Sequence, residues 1–343
     1  MDPKEVLKRL TEGVSLSQEE AKKLADLIME GSIPEPLVAG ILVALKMKGE
    51  TPDEIIGFAN SMRQHALKLD LRNTLDTAGT GGDGIGTINV STATALAVSS
   101  VFPVAKHGNR AASSRSGSAD FLESLGYNIQ VPPEKAKDLL SRDNFVFLFA
   151  QLYHPSMKNV APVRKVLGVR TIFNLLGPLT NPAGSERQVM GVYSLPFMRK
   201  LAEAALKLGY VKLVLVHGEP GLDEVSPQGK TYITEVTGSK VEEYTYDFSE
   251  IIGQPVPVSR LTTTDPLDSV RRVLMASMGR DEAVEKFIRI NVSVALYTAG
   301  LVSDFKDGFE LSEELVRKLP DRIETLVRDN GDPSKIKAIK GSL

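Results

Sequence analysis

The sequence has no cysteine, no tryptophan, only four histidines (His65, His107, His154 and His217), and a net charge of -2 over 343 residues. Without cysteine there is no disulfide, no thiolate zinc site, no iron–sulfur cluster and no cysteine nucleophile. So few histidines leave little room for imidazole metal centres. The near-balanced charge argues against a bulk nucleic-acid binder, although a local basic site is still allowed. Long hydrophobic runs are missing too. The run Phe145-Val146-Phe147-Leu148-Phe149-Ala150 falls far short of the roughly 20 residues that span a bilayer. The start, Met1-Asp2-Pro3-Lys4-Glu5, lacks the apolar core of a secretory signal. The reading is a cytoplasmic protein that engages no membrane. What is present is ordinary for a folded chain, with 42% hydrophobic and 24% charged residues. At about 150 residues per domain, the length suggests about two domains.

The first seventy or so residues read as consecutive helices. Ser17 with Glu20 makes a capping box, followed by Ala21, Leu24, Ala25 and Ile28 on one face and Gly31 as the stop. Pro34 and Pro36 open the next helix and Gly49 ends it. Thr51-Pro52-Asp53-Glu54 is a second capping box. From Leu75 onward, short apolar runs alternate with glycine-rich turns and helical stretches. Strands are predicted at 104–105, 188–192 and 211–216, and helices at 91–100 and 201–208. This alternation indicates an α/β region with a mostly parallel sheet. Further helical patterns lie at 133–142, 155–167, 266–278, 281–298 and 312–328, the last divided or kinked by Pro320.

Three loops carry the chemistry. The first, after a short apolar strand, is Asp76-Thr77-Ala78-Gly79-Thr80-Gly81-Gly82-Asp83-Gly84-Ile85-Gly86-Thr87, with five glycines in eight positions, leading into Asn89-Val90-Ser91-Thr92 at a helix start. Glycines admit a close anion, and the orphan N–H groups of a helix N-terminus favour negative charge. A plain turn needs only one or two glycines. No Gly-Lys-Ser/Thr follows, so this is not a Walker A loop. The second loop, Lys106-His107-Gly108-Asn109-Arg110-Ala111-Ala112-Ser113-Ser114-Arg115-Ser116-Gly117-Ser118, places three cations within ten residues. Lysine and arginine offset phosphate charge, while the competing reading is a solvated basic loop. The third, Gly218-Glu219-Pro220-Gly221-Leu222-Asp223-Glu224-Val225-Ser226, offers adjacent carboxylates that suit Mg²⁺. Alone such a pair reads as an ordinary solvated loop. Beside two phosphate-like loops it reads as a cation site that screens a diphosphate.

The motifs Gly79-Thr80-Gly81-Gly82-Asp83, Asn89-Val90-Ser91-Thr92, Lys106-His107-Gly108-Asn109-Arg110 and Asp223-Glu224 together resemble those of the anthranilate phosphoribosyltransferase family. Its fold class is shared with the pyrimidine nucleoside phosphorylases. The resemblance spans essentially the whole chain, with no departure at a motif position. It implies a small helical lobe over 1–72, which helices from about 133–170 rejoin, and an α/β lobe over 73–132 and 171–343. It implies transfer of a phosphoribosyl group to anthranilate, the second step of tryptophan synthesis from chorismate. A homodimer built through the helical lobes is expected, with two Mg²⁺ per subunit and no nucleic acid.

The site residues follow from the same resemblance. Gly79, Gly82, Asp83, Thr87, Asn89, Val90, Ser91 and Thr92 would bind phosphoribosyl diphosphate. So would Lys106, His107, Gly108, Asn109, Arg110, Ala111, Ala112, Ser113, Ser114 and Ser118. Lys106, His107 and Asn109 stand at the catalytic positions. Gly79, Asn109, His154, Arg164, Gly177 and Pro178 would contact anthranilate. Ser91, Asp223 and Glu224 would ligate the metal. By pattern alone, Arg164 reads more readily as a solvated helix residue than as a ligand, and Gly177 and Pro178 also fit a structural turn. His65 reads as structural and Phe145 to Phe149 as core. Two rivals stay open: a nucleoside phosphorylase using phosphate as nucleophile, and a non-catalytic nucleic-acid-binding relative.

Overall fold

Caps decide where the first helices begin. In the computed structural model, which describes residues 1–111 and 115–343, they span Pro3–Thr11, Gln18–Met29, Glu35–Lys48 and Pro52–His65. Ser17 Oγ accepts from the Glu20 N–H at 3.2 Å, and Glu20 Oε2 accepts from the Ser17 N–H at 2.9 Å. Thr51 and Glu54 repeat the arrangement. Glu54 is fully buried and does more: it accepts from the N–H groups of Thr51 and Leu16 at 2.9 Å each and from Lys48 Nζ at 2.8 Å. One carboxylate thereby ties three helix ends together, and those donors offset its burial.

Among the described residues the remainder is built on seven strands: β1 (Leu75–Asp76), β2 (Val104–Gly108), β3 (Phe145–Phe149), β4 (Arg187–Gly191), β5 (Lys212–Gly218), β6 (Lys230–Thr237) and β7 (Lys240–Asp247). They form one sheet in the order β3-β2-β1-β4-β5-β6-β7. The first five are parallel, and β6 and β7 add as an antiparallel hairpin at one edge. The sequence pattern does not announce this hairpin. The chain runs from β1 outward to β3, then returns to the other side of β1 for β4 and β5. The loops after β1 and β4 therefore leave in opposite directions and open a crevice at the carboxyl ends of the strands.

Alternation along the strands divides the core in two. On β5, Leu213 and Leu215 face one side while Val214 and Val216 face the other. The first side is continuous with the N-terminal helices and with Val160, Val163, Ile172 and Phe173. The second holds the helices Val90–Val98, Pro266–Ser277 and Glu282–Ala299. Helix Pro133–Asp143 also belongs to this second core, through Ala136, Leu139 and Leu140. That corrects the expected return to the small lobe from about 133: only the segment from Pro155 onward joins it. The physical reason is that β2 and β3 are parallel, so the chain between them must cross back over the sheet. The C-terminal pattern divides as expected, into Phe305–Arg317 and Leu319–Asp329, with Pro320 in the first turn of the second helix. A last helix, Pro333–Gly341, is capped by Asp332. Among the described residues, no helix is long and apolar enough to cross a membrane.

Candidate active site

Asp76, the last residue of β1, organises the floor of the crevice. It is fully buried. Its Oδ1 accepts from the N–H groups of Thr77 (2.7 Å), Ala78 (3.1 Å) and His107 (3.2 Å), and its Oδ2 from Asn181 Nδ2 (2.8 Å). The first loop, the end of β2 and the 177–182 segment thus meet on one carboxylate. Burial pushes its pKa up to about 6, against the pull of Lys106 and of these donors.

Glycines let three loops lie side by side. A Cβ on Gly79 would stand 2.9 Å from the Gly191 carbonyl oxygen, and one on Gly191 would fall onto the Asp223 carbonyl. Thr80 fastens the stack, its N–H donating to Gly191 O at 2.8 Å. Asn89 caps helix Val90–Val98, its Oδ1 accepting from the Thr92 N–H at 3.1 Å. This presents the helix N-terminus, with Val90 and Ser91, to the crevice. Lys106 on β2 is only 1% exposed. Its Nζ donates to Thr77 Oγ1 at 3.0 Å and reaches Ser91 Oγ at 3.4 Å. Burial lowers its pKa, while Asp76 and Glu224 hold the charge in place.

The pocket here has an open volume of about 290 Å³, and its lining includes Thr77, Gly79, Ser91, Gly191, Asp223 and Glu224. Burial, reinforced by Asp83, raises the Asp223 pKa to about 8, and Arg170 opposes the shift. Burial together with Asp223 and Asp83 carries Glu224 well above the carboxylate range. Asp83 Oδ1 accepts from the Ile85 N–H at 2.9 Å, whereas its Oδ2 is buried with no hydrogen-bond partner among the described residues. Negative charge is thus in excess at one spot. The oxygens of Asp223, Glu224 and Ser91 are hard donors of the kind Mg²⁺ selects. Among the described residues no group of three or more acidic or histidine side chains forms a ready-made cage. The donor set therefore fits an ion that completes its shell with water and phosphate oxygens.

The expected acceptor side gathers around two histidines. His107 Nδ1 lies 3.1 Å from the Gly177 carbonyl and must donate to it, which leaves Nε2 as an acceptor. The His107 and His154 rings are 5.1 Å apart, and among the described residues neither buried Nε2 has a hydrogen-bond partner. Burial drives the His154 pKa down to about 4 and takes His107 well below its usual value. Both rings are neutral at pH 7. Arg164 is partly buried, and burial alone shifts its pKa, downward. Among the described residues no carboxylate pairs with its guanidinium, which lies 5.8 Å from the centre of the Phe173 ring.

Other expected site residues are placed differently. Arg110 is exposed and held by Glu123 and Asp120, with Nη2 to Glu123 Oε1 at 2.9 Å. It is not turned toward the pocket, because two carboxylates on the following helix hold it outside. The Ala111 N–H is likewise taken by Asp120 Oδ2 at 2.8 Å. Asn109 sits exposed at the rim, accepting from Gln151 Nε2 at 3.3 Å. Gly108 packs against Phe147 and Ser118, where a Cβ would stand 2.9 and 3.0 Å from them. Thr87 bridges to Thr262. Ala112, Ser113 and Ser114 lie outside the described residues. His217 bonds Val192 O through Nδ1 at 2.7 Å, and His65 bonds Ser61 O at 2.9 Å. Sequence reasoning missed Arg170, which donates to the Gly82 carbonyl and lies 3.9 Å from the centre of the Tyr193 ring.

This architecture matches known proteins throughout. Residues 71–318 match the glycosyl transferase family a/b domain, and residues 4–66 match the helical bundle domain of the same family. The chain is 99% identical over 343 residues, covering 100% of both chains, to an anthranilate phosphoribosyltransferase of Metallosphaera sedula. The chain belongs to the anthranilate phosphoribosyltransferase family. The enzyme of that name from Thermus thermophilus superposes with a TM-score of 0.85 at 37% identity, covering 98% of this chain and 99% of that one. The Saccharomyces cerevisiae anthranilate phosphoribosyltransferase in complex with PRPP and Mg has a TM-score of 0.84 at 25% identity, covering 98% of each chain. In this member of the anthranilate phosphoribosyltransferase family, the two domain matches meet between residues 66 and 71. That gap lies just after helix Pro52–His65, where the chain leaves the helical lobe for β1.

Proposed function

We propose that this chain transfers the 5-phosphoribosyl group of phosphoribosyl diphosphate (PRPP) to the amine of anthranilate, releasing diphosphate. The observation that carries the reading is the pocket at the crevice, where Asp223, Glu224 and Asp83 crowd negative charge beside Lys106 and a helix N-terminus. Asp223, Glu224 and Ser91 would hold Mg²⁺, two ions per subunit. Mg²⁺ supplies positive charge to the diphosphate leaving group. Lys106 adds a fixed cation against Thr77 and Ser91, and the N–H groups of Val90–Val98 supply oriented donors. These groups stabilise charge that grows as the C1–O bond breaks with oxocarbenium-like character. Glycine at 79 and 191 lets the donor loop lie directly on β4 and on the Asp223 loop, which holds the three loops together at the crevice. The acceptor is an aromatic amine, neutral at pH 7, so it needs orientation more than a strong base. Neutral His107 and His154 suit that role.

Arg164 is assigned to the anthranilate carboxylate, since a guanidinium holds a carboxylate through two hydrogen bonds. Arg164→Ala is expected to raise the anthranilate KM about tenfold while the PRPP KM changes less than about threefold. An unchanged anthranilate KM refutes the role. The test of the whole reading is loss of anthranilate fluorescence with PRPP and Mg²⁺. Folded protein that shows no loss, and instead cleaves uridine or thymidine with phosphate, overturns it. We also place the protein in the cytoplasm as a homodimer joined through the helical lobe. The exposed apolar side chains Met47 (80%) and Val166 (88%) support this.

A further inference from the structure

Gln188 lies in the middle of the sheet on β4, paired with Asp76 of β1, and is 1% exposed. A primary amide in such a place is costly unless every polar atom is matched. Here each is. Nε2 donates to the Ala78 carbonyl at 2.9 Å and to the Pro178 carbonyl at 2.9 Å, and Oε1 accepts from the Tyr210 hydroxyl at 3.0 Å. Only one amide orientation satisfies these partners. A flipped amide would set its oxygen against two carbonyl oxygens. Tyr210 is buried beside Arg63 of the helical lobe, whose Nη2 is 3.5 Å from the Tyr210 hydroxyl. Arg63 also donates through Nε to Leu179 O at 2.7 Å and through Nη1 to Leu208 O at 3.0 Å.

The two carbonyls belong to different halves of the site. Ala78 immediately precedes Gly79 of the donor loop, and Pro178 sits in the segment assigned to the acceptor. The donor loop has anchors of its own: the Ala78 N–H on Asp76 and the Thr80 N–H on Gly191 O. Two further links join the halves: His107 to the Gly177 carbonyl, one residue before Pro178, and Asp76 to Asn181, three residues beyond it. Gln188 is the side chain that spans from Ala78 to Pro178 directly.

We propose that Gln188 is a positioning residue that sets the spacing between the donor loop at Ala78–Gly79 and the acceptor segment at Gly177–Pro178. Tyr210 fixes the orientation of its amide, and Arg63 ties the assembly to the helical lobe. The proposal rests on the assignment of those two segments to donor and acceptor. Removing the amide leaves the Pro178 carbonyl unheld, so the acceptor segment is fixed only at its flanks, by His107 on Gly177 O and Arg63 on Leu179 O, while the donor loop stays on its other anchors. Acceptor binding and the chemical step then suffer together, and donor binding does not.

Gln188→Met keeps the length of the side chain and removes its donors. The expected result is an anthranilate KM raised about tenfold with a lowered kcat, matching one or two lost hydrogen bonds. PRPP–Mg²⁺ affinity, titrated without anthranilate, should stay within about threefold of wild type. Tyr210→Phe should shift the same parameters in the same direction by a smaller factor. The double variant should be no worse than Gln188→Met, since both act through one amide. Equal weakening of both substrates, or unchanged anthranilate KM in either folded variant, overturns the proposal. Should Gln188→Met fail to fold, the Tyr210→Phe measurement decides alone. Wild-type turnover in the same assay tests the underlying reading separately: an inactive wild type removes that reading, whereas an active wild type with unaffected variants removes only the role of Gln188.

Discussion

Asp223→Asn combined with Glu224→Gln is expected to lower Mg²⁺-supported turnover about a thousandfold, the scale set by deleting preorganised groups that meet developing charge. The same variant should melt higher than wild type at pH 8 in the absence of Mg²⁺. The sign follows from where the protons sit. The Asp223 pKa is raised to about 8 in the folded protein by burial and by Asp83, against about 4 for an unfolded aspartate. Between those values the native state holds more protons than the unfolded chain, so wild-type stability falls as pH rises through the window. Glu224 is shifted in the same direction by the same cause. Amides carry no such penalty. The gap between variant and wild type should close as pH falls toward about 4, and Mg²⁺ should raise the wild-type midpoint at pH 8 but not that of the variant. Wild-type turnover in the variant, or a lower metal-free midpoint at pH 8, removes the assignment.

The parts of this molecule that are readable from sequence are those whose signal is local. The capping boxes at Ser17 and Thr51 need four consecutive residues. Strand β5 is covered on both faces, so it reads as an unbroken apolar run. Glycine density marks the loop at 79–86 because backbone approach leaves a trace in composition. Edge strand β7, Lys-Val-Glu-Glu-Tyr-Thr-Tyr-Asp, has no buried residue, and its polar face hides it. Arg110 shows a related limit: its ion pair with Glu123, thirteen residues on, leaves no mark in the glycine- and serine-rich loop that suggests a phosphate ligand. The connecting residues are the least legible. Asp76 meets Asn181 across 105 positions, Gln188 meets Ala78 across 110, and Arg170 meets Gly82 across 88. Their importance lies in partners that only the folded chain supplies.

Asp76→Asn is expected to lower kcat about a hundredfold, comparable to losing one oriented electrostatic group. The carboxylate accepts from three backbone N–H groups and from the Asn181 amide, so both oxygens are needed as acceptors. An asparagine puts its NH₂ either against those backbone N–H groups or against Asn181, leaving buried donors facing one another in both orientations. Lys106 also loses the charge that helps to hold it between Thr77 and Ser91. Acid should act on wild type in the same way. With the Asp76 pKa at about 6 and Mg²⁺ saturating, activity should fall as pH drops through that value while the Asp76 contribution to stability rises. The native state takes up this proton more readily than the unfolded chain, which separates the loss of activity from acid unfolding. The nearby imidazoles cannot produce this limb, because burial has already made His107 and His154 neutral well above their lowered pKa values, about 4 for His154. His154→Gln should therefore keep an acid limb near 6, and a pH–rate profile of that variant is the deciding measurement. A limb that disappears with His154 moves the titrating group from the carboxylate to the imidazole pair.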